Sequence, residues 1–161
     1  MKIYITGGSG TGKSTYARVL SQKYSMPYLE LDTVKWIKNA DKSFTKYRSR
    51  QERVQILDNF LAGNKCWICE GSYNQDWING ILKNADVVLI VWAPIWVRHY
   101  RCVRRAFQAE NIKKLSLGAL WKLLVWSHGY DKTYLPALKA KLHDYGVPYI
   151  TVNYKRLGVG R

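Results

Sequence analysis

Gly7, Gly12, Lys13 and Ser14 hold the fixed positions of a GxxxxGK[ST] spacing in the run Gly7-Gly8-Ser9-Gly10-Thr11-Gly12-Lys13-Ser14. Such a run binds phosphate. Glycines let successive N–H groups face one concavity, and a helix opening near Lys13 adds its positive end and unpaired donors. Lys13 is spaced to reach β- and γ-phosphates, and the Ser14 hydroxyl to ligate Mg²⁺. A dinucleotide-binding GxGxxG would need glycine at Thr11 or Lys13. The expected ligand is a nucleoside triphosphate, ATP or another NTP, with Mg²⁺.

Three further groups carry chemistry. Asp32 ends the stretch Tyr28–Asp32, and Glu70 follows Cys66–Cys69. In an open α/β sheet ligands lie beyond the carboxyl ends of strands, so both carboxylates are expected in the crevice. Asp32 could accept a hydroxyl proton, orient an acceptor or hold metal-bound water; the alternative is a helix N-cap. Glu70 is the candidate magnesium carboxylate, acting through bound water, with a cap or ion-pair role as alternative; Gly71 next to it would allow close approach of a ligand. After Pro94, Arg98, Arg101 and Arg105 recur at helical spacing and Arg104 widens the stripe, a crowding of like charge that an anion would relieve. Cys66 and Cys69 form a CxxC, but on a strand the two thiols diverge, so inert cysteines are expected rather than redox or zinc chemistry.

Elements must position these groups. Lys2–Thr6 reads as a strand into the loop, and Thr15 onward continues a helix. Tyr28–Asp32, Cys66–Cys69, Asp86–Ala93 and Val147–Asn153 read as further strands. Helices are expected over Thr45–Ala62, Asp76–Asn84, from Pro94 through the arginines, over Leu115–Trp126 and over Tyr130–Tyr145, with Thr33–Phe44 irregular. Strands alternating with helices predict an α/β fold, a three-layer doubly wound sheet of about five parallel strands.

The 161 residues suit one domain with a real core, and 47% hydrophobic with 23% charged residues is a globular composition. The apolar run Val87–Val97 is broken by Pro94 and too short for a membrane span, and strand and loop follow Lys2 at once, so a cytoplasmic protein without a signal peptide is expected. The net charge of +15 is uneven: residues 35–53 carry seven basic and two acidic side chains, residues 94–161 thirteen and three, residues 54–93 two and four. Polyphosphate substrates or nucleic acid would explain such a surface, beside plain solvation.

Together these residues resemble the adenylate-kinase-like branch of the P-loop kinases, and more narrowly the small DNA topology modulation proteins. The likeness rests on Gly7 to Thr15, on Leu31-Asp32 with Trp36, on Trp67-Ile68-Cys69-Glu70-Gly71-Ser72-Tyr73, and on Pro94 with its arginines; it covers about residues 1–145. It implies a strand order 2-3-1-4-5 and nucleotide contacts along Gly7, Gly8, Ser9, Gly10, Thr11, Gly12, Lys13, Ser14 and Thr15. By the same analogy Arg101 lies against adenine or phosphates and Arg105 on the transferring phosphate. Glu70 stands where the family usually has Asp. Residues 33–63 would form an acceptor-side segment and residues 105–126 a reduced lid.

The leading functional reading is a phosphotransferase moving the γ-phosphate of Mg-ATP to a small nucleotide-like or hydroxyl acceptor. Lys13, Asp32, Arg101 and Arg105 would be catalytic and Ser14 and Glu70 would serve the metal. The alternatives are a nucleic-acid-associated NTPase or end-kinase, and a nucleotide-binding module with little turnover.

Overall fold

The computed structural model describes residues 1–38, 44–107 and 117–157. Five parallel strands, β1 (Lys2–Thr6), β2 (Tyr28–Glu30), β5 (Trp67–Glu70), β6 (Val87–Trp92) and β7 (Tyr149–Asn153), form one sheet in the order β2-β5-β1-β6-β7. Counted along the sheet strands alone this is 2-3-1-4-5, as the resemblance implied. β1 lies at the centre, with Ile5 opposite Glu70 on one side and Leu89 on the other.

The alternation of β1 builds both outer layers. Ile3 and Ile5 pack with Ala17, Ile68 and Val91 under helix α1 (Lys13–Tyr24). Tyr4 points the other way, into a larger cluster with Leu57 of α3 (Arg50–Gly63), Ile81 and Leu82 of α4 (Asn79–Asn84), and Leu138 and Leu142 of α6 (Leu117–Asp144). A 3-10 turn, Asp76–Ile78, leads into α4. Helix α5 (Ile95–Ala106) follows Pro94 as expected.

Four local expectations are corrected. β2 stops at Glu30, and Asp32 sits in a short helix, α2 (Leu31–Lys35), where the Thr33 hydroxyl donates to the Glu30 carbonyl. The segment read as irregular holds β3 (Trp36–Lys38), which pairs antiparallel with β4 (Phe44–Tyr47). Helix α3 therefore starts at Arg50, five residues late, because Ser49 and Glu52 form a capping box: each side chain bonds the other's backbone N–H. Residues 115–126 and 130–145 are not two helices. Leu117–Asp144 is one, with Pro136 inside it; its buried residues are Ser127, within the expected break, and Tyr130, Leu138 and Leu142 beyond it. Residues 108–116 of the expected lid lie outside the described residues.

Cys69 is buried in β5 and burial pushes its thiol well up; all three cysteines are free. No helix among the described residues is long and apolar enough to cross a membrane.

Candidate active site

The phosphate loop joins β1 to α1 and is fastened by its carbonyls. Gly7 O accepts from Ser72 Oγ at 2.5 Å, Gly8 O from Thr11 Oγ1 at 2.9 Å, and Ser9 O from Ser127 Oγ at 3.3 Å. Gly10 O and Thr11 O both accept from Arg101 Nη1 at 3.3 Å, and Gly12 O accepts from Tyr16 N–H. With its carbonyls taken up by the protein, the loop lines the cleft in front of α1. Gly10 shows how tightly the loop is seated: at φ +81° a Cβ there would stand 2.4 Å from the Arg98 carbonyl oxygen.

Helix α5 supplies the support beneath. Arg98 was expected to share the anion-facing stripe; instead it is 2% exposed and pairs with Asp131 of α6 at 2.8 Å. It stands against the back of the loop, and a Cβ on Gly8 would meet its Nη1 at 2.3 Å. Its angular position matches that of Arg105, but seven residues separate the two by about 10 Å of helix rise. One face thus starts under the loop and ends at the open cleft.

That cleft has a volume of about 750 Å³ and is lined by the loop from Ser9 to Thr15, by Asp32, and by Arg101, Arg104 and Arg105. Glu30, together with Arg18, Tyr100 and Tyr154, which sequence reasoning did not single out, completes it. The Arg101 guanidinium stacks over the Tyr154 ring at 5.1 Å.

Glu70 ends β5 beside the loop and is 2% exposed. Its Oε1 lies 3.6 Å from Lys13 Nζ, and its Oε2 accepts from the Tyr28 hydroxyl at 3.3 Å. The Ser14 side chain lies near it and favours its ionised form. Burial pushes the carboxyl above the usual range, opposed by the Lys13 charge. Gly71, expected to admit a ligand, is instead needed by the protein's own packing: a Cβ there would stand 2.9 Å from both Leu31 Cβ and Tyr73 Cδ2.

Asp32 opens into the crevice. Its Oδ1 accepts from the Tyr73 hydroxyl at 2.5 Å, and burial and that carboxylate raise the Tyr73 phenol well above its ordinary value, so Tyr73 stays a donor. Arg48 fixes α2 from its far end, donating through Nη1 to the carbonyls of Thr33, Val34 and Trp36. A second cavity of about 320 Å³ adjoins the cleft and shares Ser9, Lys13 and Asp32 with it. Its remaining walls are Lys35, Trp36, Ser72, Tyr73, Gln75, Leu123, Trp126 and Tyr134. Tyr73 lies within the resemblance motif, but nothing in the sequence tied it to Asp32; Trp126 and Tyr134 had no signal, because they reach the site only through the fold of α6.

This fold and loop define a class: a P-loop, kinase-like α/β protein. Among solved structures the chain resembles shikimate kinase from Acinetobacter baumannii in complex with shikimate, with TM-score 0.58 and 18% identity over 94% of this chain and 83% of that one. It also resembles deoxyadenosine kinase from M. mycoides with bound dATP, with TM-score 0.54 and 17% identity over 96% and 92%. A family model described as RNA helicase matches residues 3–79, the stretch from β1 to just past the 3-10 turn. The "Uncharacterized protein YqaC" of Bacillus subtilis (strain 168) is 31% identical over 147 residues, 89% of this chain and 80% of that protein. The chain belongs to the family of that protein.

Proposed function

We propose that this protein is a phosphotransferase that moves the γ-phosphoryl group of Mg-ATP to a hydroxyl of a small acceptor. One observation carries the reading: the polar cleft at the phosphate loop and the smaller aromatic cavity meet at Lys13 and Asp32. A cleft for the donor and a pocket for the acceptor, joined at a lysine and a carboxylate, is what group transfer requires.

The loop N–H groups and Lys13 bind the phosphates, and Arg101, Arg104 and Arg105 face the same cleft with delocalised positive charge. Ser14 and Glu70, hard oxygen donors near one another at the foot of the loop, would suit a magnesium ion, Glu70 through bound water. When bound, that ion neutralises charge shared by the β- and γ-phosphates. Asp32 takes the acceptor's hydroxyl proton as the acceptor oxygen bonds to the γ-phosphorus and the bond from that phosphorus to the bridging oxygen breaks, releasing ADP. Tyr73 holds one Asp32 oxygen and leaves the other for the acceptor. The sequence likeness to the DNA topology modulation proteins is compatible with this chemistry.

A second reading has its own observation. Trp96, Tyr100 and Arg104 are exposed at successive turns of α5, running from the surface to the cleft that Tyr100 and Arg104 line. Stacking rings beside basic groups suit a nucleic-acid strand, and an oligonucleotide end would then be the acceptor. The test is ADP release with Mg-ATP alone, with small hydroxyl acceptors and with oligonucleotides, using Lys13→Ala as the blank. Strong stimulation by a small acceptor supports the first reading, and salt-sensitive stimulation by DNA or RNA the second. ATP binding that no acceptor converts to turnover leaves a nucleotide-binding module.

A further inference from the structure

We propose that Lys35 reads a negative charge on the acceptor, so that the smaller cavity takes a compact, ring-bearing hydroxy anion, either a carboxylate or a phosphate monoester. This rests on the phosphotransferase reading for the word acceptor, but the recognition chemistry is independent of it.

The placement of Lys35 is the first ground. Asp32 and Lys35 stand three residues apart on α2, one turn, with Cβ atoms about 5–6 Å apart on one face. Both line the cavity. A carboxylate that accepts a hydroxyl proton therefore sits one helical turn from a cation.

The surroundings of Lys35 are the second. Its ammonium lies 4.9 Å from the Tyr73 ring centroid, 5.2 Å from that of Tyr47 and 5.9 Å from that of Trp36. Trp36 and Tyr47 stack on each other at 3.8 Å, which makes that wall rigid. Among the described residues no carboxylate is within ion-pair distance of Lys35. Burial draws its pKa down and Arg53 adds like charge; the Asp32 charge acts the other way, but that carboxylate is already bonded by Tyr73. Ring faces hold a cation by only about 0.5–2 kcal/mol, less than a charge-assisted hydrogen bond to an anion adds. The half-buried cation is suited to an anion that the described residues do not provide.

Cavity size and walls are the third. A volume of about 320 Å³ falls at the small end of ligand sites. Trp36 bounds it from β3, and Leu123, Trp126 and Tyr134 bound it from α6, with Trp126 and Tyr134 edge-on at 5.5 Å. Aromatic walls on separate elements favour a flat or cyclic body. Hydroxyl at Asp32, ring against the aromatics and anion at Lys35 then use the carboxylate, the rings and one of the two lysines that line the pocket.

Calorimetry in the presence of Mg²⁺ and a non-hydrolysable ATP analogue tests this with matched probes: meta-hydroxybenzoate against meta-hydroxybenzamide, and a nucleoside monophosphate against its nucleoside. The anionic member of at least one pair is expected to bind about 10–100-fold more tightly, as a hydrogen bond to a charged group implies. Lys35→Met, which keeps the stem against the rings, should abolish that preference, and Lys35→Arg should retain much of it. Melting curves establish that each variant is folded. Equal binding within both pairs, binding of neither member, or a preference that survives Lys35→Met overturns the proposal. The pair that responds distinguishes carboxylate from phosphate. ADP release separates the two readings: a Lys35-dependent preference without turnover on any acceptor removes the phosphotransferase and keeps the anion pocket, whereas turnover on neutral acceptors unchanged in Lys35→Met does the reverse.

Discussion

The two ends of the crevice are built on different principles. At the nucleotide end, one continuous run from Gly7 to Thr15 offers backbone N–H groups, and its carbonyls are fastened by Ser72, Thr11, Ser127 and Arg101. At the proposed acceptor end, side chains from α2, β3, the Ser72–Gln75 loop and α6 meet around about 320 Å³, and no run of neighbours defines the pocket. Backbone recognition suits what all nucleoside triphosphates share. Side-chain recognition suits what differs between acceptors, and it can change without disturbing the loop.

The sharpest way to break this division is a pair of substitutions at the junction. Asp32→Asn should lower kcat about 10²–10⁴-fold, the range for a positioned acid or base, with nucleotide affinity unchanged. Lys13→Ala should lower it about 10²–10³-fold and weaken nucleotide binding as well. ADP release and nucleotide titration read both. If Asp32→Asn damages nucleotide binding as much as turnover, the two ends are not separate.

Gly10→Ala probes the seating of the loop. The substituted residue would have to keep φ +81° with its Cβ against the Arg98 carbonyl, a strain of about 1–3 kcal/mol or more. A lower melting temperature and weaker ATP binding are expected together. Gly63→Ala is the control, since nothing lies within 4 Å of a Cβ there.

Trp126→Ala tests the other end. Loss of one aromatic wall should raise the acceptor KM about tenfold, consistent with about 1–3 kcal/mol per stacked ring, with the KM for ATP unchanged. Equal changes in both would place Trp126 in the nucleotide site.

Glu70 gives the smallest effect, with a defined sign. Its folded pKa is raised above the ordinary 4.5 by burial, so the stability it contributes is full below the unfolded value and is lost as pH rises through the folded one. Thermal melts of the ligand-free protein should show this slope on the alkaline side of pH 4.5, and Glu70→Gln should flatten it. Magnesium-dependent nucleotide binding runs the opposite way, strengthening as the carboxyl ionises.

Much of this was legible in the residues. Strand positions and the loop follow from apolar periodicity and glycine spacing, signals carried by neighbours in the chain. The misread stretches, residues 31–38 and 44–49, lack that kind of signal: α2 is five residues long and is held by the Arg48 guanidinium, and the β3–β4 pairing is a contact between segments. The Ser49–Glu52 capping box was present to be read and would have moved the start of α3. The fate of Arg98 was not legible, because helical spacing gives the angle of a side chain around an axis and not what lies opposite each turn.

By itself the sequence determined that a strand, a glycine-rich loop and a helix would follow one another, since that signal is local and contiguous. Only the tertiary structure decided that Arg98 supports the loop while Arg101 and Arg105 face the cleft. It alone also joined Tyr73 to Asp32 and brought Lys35 and the aromatic rings of α6 to one pocket. Those arrangements depend on how helices cross the sheet, and a cavity between elements has no signature in any one of them.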